Sequence, residues 1–372
     1  MRVAIVDPAS TTPPYDHSLA SALARRGHTV DLLTSPFPFG PVPAPVGYRR
    51  DELFLPVSGR ILARNPRSRS RFLVKGLEYL PSVRRLSRRL RELEPDVVHV
   101  QWLALPRLDM RWLRDVAAQR PTVFTAHHAL PRDNGASVDS RKRIYEVVER
   151  VIVHSRRGVD ELASLGVARD RIEYIPHAVF EAQAREEPTP PAGRTLLFFG
   201  LLRAYKGIDV LVRALAEIPD ARLVVAGDPL DPVEPLQELA REVGVDDRIE
   251  WRLGFLPEDE VAALMRDAAV VVVPYRRTDA SGVLATAIGH GRPVVVTDVG
   301  SLGETVRDFG LGEVVPPGDE HALAEACTRL LDDPARLAAA FEGTRRARAA
   351  LTWDAAASEH ERVYEAALAA HA

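Results

Sequence analysis

The chain has 372 residues, 46% of them hydrophobic, with a formal net charge of −3 and a single cysteine, Cys327. That length exceeds what one core ordinarily supports, so two domains are expected. The charge excludes a strongly basic nucleic-acid binder, one cysteine excludes an intrachain disulfide or a cysteine-rich zinc site, and no apolar run approaches the roughly 20 residues of a membrane span. A soluble, cytoplasmic protein is expected.

The opening MRVAIV is a strand that stops at Asp7, too short an apolar run for a leader peptide. The loop 7–17, the helix SLASALARRG closed by Gly27 and the strand HTVDLLT make a β-loop-α-β unit, which implies parallel strands. Ligands of such sheets bind at the carboxyl ends of the strands, which puts Tyr15, Asp16 and His17 on the functional rim. No Gly-x-Gly-x-x-Gly follows the first strand, against a dinucleotide cofactor there.

The proline-rich stretch from Ser35 to Pro45, with Phe37 and Phe39, reads as a loop. Between Arg60 and Arg91 stand eleven Arg or Lys residues and one acid, Glu78. Leu86 and Leu90 alternate with Arg84/Arg85 and Arg88/Arg89 at helical spacing, giving a cationic helix face. Such a face suits an anionic membrane surface or a phosphorylated acceptor; it also suits plain solvation.

Three further strands, PDVVHVQW, PTVFTAH and RVIVHS, then RIEYIPH, deliver His127, His128, His154 and His177 to strand ends on one rim. No His-x-x-x-His or Asp-x-Asp spacing occurs, so no metal is expected.

Glu181 to Gly193, acidic and proline-rich, reads as a linker. After it the alternation of strand and helix repeats. The stretch TLLFFGLLRAYKGIDVLVRAL, Thr195 to Leu215, is a buried strand, a turn with Gly200, Arg203, Lys206 and Gly207, and a helix. A helix start aims unpaired N–H groups and a positive dipole end at one point, and two cations stand beside it. Ser281 and Gly282 precede a second helix, VLATAIGHG, after the apolar strand AVVVVPY. Two helix starts and two cations on one rim suit a diphosphate; a surface turn with solvated cations is the alternative. The last stretch, LTWDAAASEHERVYEAALAA, is a long amphipathic helix with no strand after it.

FFGLLRAYKGIDVLVRAL, VVAGDP, AAVVVVPYRRTDASGVLATAIGHGRPVVVTDVGSLGE and TWDAAASEHERVY resemble glycosyltransferase family 4, as do RRGHTVDLLT, DVVHVQW and VIVHSRRGVDELASLGV with IPHA. The resemblance covers nearly the whole chain. It implies an α/β protein of the GT-B fold, two doubly wound Rossmann-like domains facing across a cleft. The first is expected over 1–180, with 355–372 packed back on it, and the donor domain over 194–354. It further implies a retaining glycosyltransferase, independent of metal and cofactor, moving a sugar from a nucleotide-diphospho-sugar to a hydroxyl of a glycan, lipid-linked or small-molecule acceptor.

Carried onto this chain, the resemblance gives Lys206 the donor diphosphate, with Arg203 as partner and Ser281, Gly282 and Val283 as the amide cradle. His127 is expected near the donor sugar. Gly227, Leu253, Gly254, Phe255 and Thr286 are expected at the base and ribose, and Tyr15, Asp16, His128 and Asp279 on the acceptor or sugar side. Two departures stand out: Thr278 and Thr286 occupy the places of the two usual glutamates, and Tyr15 and Asp16 replace the glycine pair after the first strand. The leaving phosphate can take the acceptor proton, so no protein nucleophile is required; a double displacement would need Asp16, Asp279 or Glu304. Two rival readings are a same-fold nucleotide-sugar hydrolase or epimerase, and a catalytically silent nucleotide-sugar binder.

Overall fold

A computed structural model describes residues 1–37, 40–60, 69–130, 138–180, 187–190 and 192–371. Phe39, residues 61–68 of the basic segment and residues 181–186 and 191 of the expected linker lie outside the described residues. The chain divides into two compact units, Met1–Pro176 with Trp353–Ala372, and His177–Thr352.

The first unit runs β1 Arg2–Asp7, α1 Pro13–Arg25, β2 Thr29–Thr34, β3 Arg49–Glu52, α2 Pro56–Arg60, α3 Arg69–Leu93, β4 Val97–Val100, α4 Pro106–Ala117, β5 Thr122–Thr125, α5 Val138–Val147, β6 Arg150–Val153, α6 Arg156–Ser164 and β7 Ile172–Tyr174. Its sheet has the order β3-β2-β1-β4-β5-β6-β7. All pairs are parallel, and in β1, β4 and β5 nearly every residue is buried, as expected of strands covered on both faces. The strand order reverses at β1 and β4, so the carboxyl ends of those two strands form the switch point where ligands of doubly wound sheets bind.

The helix α1 starts earlier than the sequence pattern suggests. Pro13 and Pro14 stand at its first positions, where a missing N–H costs nothing, and the Asp16 amide already donates to Thr12 O at 3.0 Å. Tyr15 and Asp16 are therefore in a helix and buried, at 3% and 1% exposure, rather than on an open loop rim.

The cationic helix α3 divides its charges. Leu86, Leu90 and Leu93 are buried, while Arg89 Nε donates to Asp51 at 2.7 Å and Arg85 donates to Leu53 O at 3.3 Å, tying down the edge strand β3. Glu78 accepts from the amides of Val57 and Ser58 and so caps α2. Arg84, Arg88 and Arg91 remain on the exposed side.

The second unit runs β8 Thr195–Phe199, α7 Ile208–Leu215, β9 Arg222–Gly227, α8 Glu234–Glu242, β10 Ile249–Leu253, α9 Glu258–Asp267, β11 Val270–Val273, α10 Gly282–Gly289, β12 Val294–Thr297, α11 Ser301–Phe309, β13 Gly312–Val315, α12 Glu320–Asp332 and α13 Pro334–Ala350. The sheet order β10-β9-β8-β11-β12-β13 repeats the reversal, here at β8 and β11. The stretch read as a linker is docked in part on this unit: the buried Arg292 guanidinium donates to Thr189 O, and a side chain on Gly291 would meet Pro188 at 2.3 Å.

A final helix, α14 Trp353–His371, belongs to the first unit. Trp353, Ala356, Ala357, His360, Val363, Tyr364 and Ala367 recur at helical spacing and are buried. Trp353 stands edge-on to Tyr15 with ring centres 4.9 Å apart, and Glu361 receives Arg26 at 2.6 Å and His28 at 2.7 Å.

Candidate functional site

In the second unit, β8 ends at Phe199 and the chain turns at Gly200 with φ of +112°. A Cβ placed there would lie 3.0 Å from Lys206 Nζ and 3.0 Å from Val283 Cγ2. Lys206 and the first turn of α10 therefore meet at one strand end. Close backbone contact holds the place together. A Cβ on Gly207 would come within 2.0 Å of Pro274 O, and one on Gly227 within 1.9 Å of Gly200 O, so neither position has room for a side chain. Gly207 also carries φ of +68° as the residue that launches α7.

Lys206 is buried, with 6% exposure, and its ammonium lies 5.0 Å from the centre of the Tyr275 ring. Arg203 precedes the 3-10 turn Ala204–Lys206 and is exposed. That turn is braced by a residue the sequence reading did not single out. Arg276 donates from its amide to Tyr205 O and from Nη1 to Ala204 O, both at 2.8 Å, and grips the Asp209 carboxylate at 2.9 and 2.6 Å. Burial raises the Asp209 carboxyl, but the Arg276 hydrogen bonds and charge outweigh it and hold the group below its ordinary range.

Ser281 caps α10, its hydroxyl accepting from the Leu284 amide at 3.3 Å, with Gly282 and Val283 in the first turn. Thr278 Oγ1 donates to Ala280 O at 2.7 Å and Thr286 Oγ1 to Gly282 O at 2.9 Å. Both hydroxyl protons are thus spent on local backbone where carboxylates were expected. Asp279 O accepts the Ser301 amide at 2.8 Å, which seats the start of α11 on the same turn. At the neighbouring strand ends, the Gly254 amide donates to Gly227 O at 3.0 Å. Leu253 and Phe255 flank it with 44% and 64% exposure, an apolar edge open to a flat partner.

In the first unit, Asp7 ends β1 and accepts amides from Ala9, Thr11 and Thr12 at 3.1, 2.5 and 3.4 Å. Asp16 lies beside it. Burial, then the charge of Asp7, pushes the Asp16 carboxyl well above its ordinary range. Burial also raises Asp7, against the lowering effect of its hydrogen bonds. Asp7 is offset toward its charged form by the three amides it accepts, whereas Asp16 has burial and the Asp7 charge both acting against ionisation.

His127 follows β5. Its ring is stacked on Trp102 with centres 4.6 Å apart and planes 2° from parallel, and its Nε2 lies 2.9 Å from Gln101 Oε1. Trp102 is oriented by its Nε1–H to Thr12 Oγ1 at 3.0 Å. Tyr15 and His154 border the same ring at 5.0 and 5.2 Å, and His128 stands edge-on to Trp102 at 5.5 Å. His177 belongs to the second unit, where its ring stands edge-on to Phe180. Asp7, Gln101, Trp102 and Trp353 were missed in the sequence; Gln101 and Trp102 directly follow a strand at the switch point, which is a signal that could have found them. Among the described residues no group of three or more His, Cys, Asp or Glu could hold a metal ion.

Each unit is a doubly wound parallel sheet, and the second sets a buried lysine and a helix start at its switch point, the crevice where such sheets bind anionic ligands. The comparisons give the family. Residues 15–182 match the model described as Glycosyltransferase Family 4, and residues 193–333 the one described as Glycosyl transferases group 1. A phosphatidyl-myo-inositol mannosyltransferase of Mycobacterium leprae is 30% identical over 388 residues, covering 98% of this chain and 96% of that protein. A D-inositol 3-phosphate glycosyltransferase of Catenulispora acidiphila is 30% identical over 266 residues, and the match spans 64% of this chain and 63% of that relative. The structure of Anabaena HepE in complex with UDP superposes with a TM-score of 0.72 at 16% identity, covering 97% of this chain and 99% of that one. The chain belongs to glycosyltransferase family 4, and it is a glycosyltransferase.

Proposed function

We propose that this glycosyltransferase takes its sugar from a nucleoside diphosphate held by the second unit and passes it, with retention, to a hydroxyl acceptor. The observation that carries the reading is the meeting of Lys206 Nζ and Val283 at Gly200, which sets a buried cation beside the start of α10. A leaving diphosphate gathers negative charge as the glycosidic bond breaks. A fixed ammonium and oriented amides stabilise that charge without reorganising. Arg203 adds a second cation, Ser281 and Gly282 complete the cradle, and Leu253 to Phe255 with Gly227 and Thr286 supply the nucleoside edge. His127 and His128 on the first unit, and Asp279 on the second, are assigned to the acceptor or sugar side, while the buried Tyr15 borders the His127 ring and the buried Asp16 lies beside Asp7.

The named substrates of the two relatives are inositol phosphates, one of them in a lipid, which makes a phosphorylated polyol the acceptor class to try first. A peripheral membrane contact through α3 fits the same class. Leu77 and Leu80 are 80% and 63% exposed on the helix that also exposes Arg84, Arg88 and Arg91. Flotation with vesicles of anionic and neutral lipid tests that contact, and indifference to lipid charge removes it. Among the described residues no helix is long and apolar enough to cross a membrane.

A melting-temperature screen against UDP, GDP, ADP and TDP sugars tests the donor reading, since a ligand of the folded state alone raises the midpoint. A shift in the wild type that Lys206→Ala abolishes supports it; no shift with any of the four overturns it. The spent hydroxyls of Thr278 and Thr286 favour a second reading, a binder without turnover. Donor binding with no product across a panel of polyol phosphates, glycans and lipid acceptors would select it.

A further inference from the structure

Residues 274–276, after β11, run against the turn that carries Lys206, one for one. Pro274 O fills the place of a side chain at Gly207, since a Cβ there would come within 2.0 Å of it. The Arg276 amide donates to Tyr205 O at 2.8 Å. Between these two contacts Tyr275 meets Lys206, whose ammonium stands over the phenol ring, 5.0 Å from its centre.

Tyr275 is a fixed platform. It is buried at 3% exposure in the core of the second unit, its carbonyl accepts Thr297 Oγ1 at 2.5 Å, and the Tyr205 ring stands edge-on to it with centres 6.2 Å apart. Lys206 Nζ also closes on the strand-end turn, 3.0 Å from where a Cβ on Gly200 would lie, and Val283 Cγ2 is as near to that point. The ammonium is thus within reach of both the aromatic face and the turn beside α10.

The place takes a compact cation. Of the 49 Lys and Arg residues only Lys75, Lys142 and Lys206 are lysines, so an ammonium here departs from the chain's usual choice of cation. An ammonium is a point charge with three donors, whereas a guanidinium is a broader plane. The face of a phenol ring attracts such a charge through its quadrupole. It brings no formal negative charge that would repel a diphosphate approaching the same cation.

We infer that Tyr275 is a positioning residue: its ring face holds the Lys206 ammonium at the Gly200 turn, in place for a diphosphate before one arrives. The inference rests on the reading above that Lys206 receives the donor. Tyr275 acts through Lys206, as the fixed support of a charge that need not reorganise when the leaving group departs.

The direct test is a proton–carbon NMR spectrum of the wild-type protein with isotope-labelled lysine, in which three lysines give three sets of side-chain signals. Lys206 is identified by the set missing from Lys206→Arg. The ring current above the phenol face should displace the Lys206 ε-methylene protons upfield of those of Lys75 and Lys142; overlap with those two overturns the proposal without any Tyr275 variant having to fold. Tyr275→Leu keeps apolar bulk and removes the ring face. Its kcat/KM for the donor should fall about tenfold, the size of one desolvated cation–π contact, with KM for the acceptor little changed. Tyr275→Phe, which restores the face, should recover most of that loss. An equal loss in both variants, or none in either, contradicts the inference. Wild-type turnover in Lys206→Ala while the upfield signal is present overturns the donor reading on which the proposal rests; an inactive Lys206→Ala with an unshifted signal overturns the proposal and keeps that reading.

Discussion

Arg276 and Asp209 are joined by two hydrogen bonds, at 2.9 and 2.6 Å, that fasten the loop after β11 to the first turn of α7. The pair is partly exposed, so its direct worth to stability is small, about 0–1 kcal/mol. Its value lies in bracing the turn that carries Lys206. Asp209→Asn should leave the melting midpoint within about 2 °C and raise KM for the donor about threefold to tenfold, as a loosened site loses orientation. Steady-state kinetics beside a melting curve checks both.

A methyl group on Gly227 would come 1.9 Å from Gly200 O, at a φ of +144°. The strand ends must part to admit it, and Gly200 is where Lys206 and Val283 meet. Gly227→Ala should therefore destabilise the protein by about 2 kcal/mol or more and abolish nucleotide-dependent stabilisation. Urea unfolding with and without a nucleoside diphosphate measures the two effects separately.

His360 is buried on α14, its Nδ1 donating to Ala356 O, and burial lowers it from 6.5 to about 4. His99 beside it is shifted in the same direction. The folded state thus binds fewer protons than the unfolded one between pH 6.5 and about 4, and stability must fall as pH falls through that window. The His360 contribution alone is about 3 kcal/mol at the acid end. Asp7 and Asp16 act in the opposite sense, since their raised values favour the folded state at lower pH. Replacing His360 by Gln should flatten the decline of unfolding free energy between pH 6.5 and 4; an unchanged slope contradicts the assignment.

Burial and the Asp7 charge both disfavour an ionised Asp16, so a neutral isostere should be accepted. Asp16→Asn is expected within about 1 kcal/mol of wild type at pH 7, and to gain on it as pH rises, since a raised carboxyl loses its stabilising contribution toward higher pH. Asp7→Asn, which replaces one of two acceptor oxygens of a carboxylate holding three amides, should cost about 1–3 kcal/mol. Denaturant unfolding at pH 7 and at a higher pH separates the two carboxyls.

The parts legible in sequence were those where one residue type has one use. The apolar runs of β8, β9, β11 and β12 have only a doubly covered sheet to occupy, and Gly200, Gly207 and Gly227 mark close backbone approach. The edge strand β3, RRDE, carries no apolar pattern because it pairs with β2 on one side only and is held by Arg89 and Asp51. The start of α1 was obscured by its prolines, which read equally as loop. Asp7 with Asp16 and Gln101 with His127 lie 9 and 26 positions apart, and only the folded sheet brings each pair together. Arg276 was one arginine among many until its contacts were known.

The central claim is that Lys206 holds the leaving diphosphate. It is tested most directly by the turnover of Lys206→Ala and Lys206→Arg with a donor and acceptor that the wild type uses. In the alanine variant kcat/KM for the donor should fall about 100-fold or more, with partial recovery in the arginine variant and a melting midpoint near that of the wild type. Wild-type turnover in Lys206→Ala would contradict it.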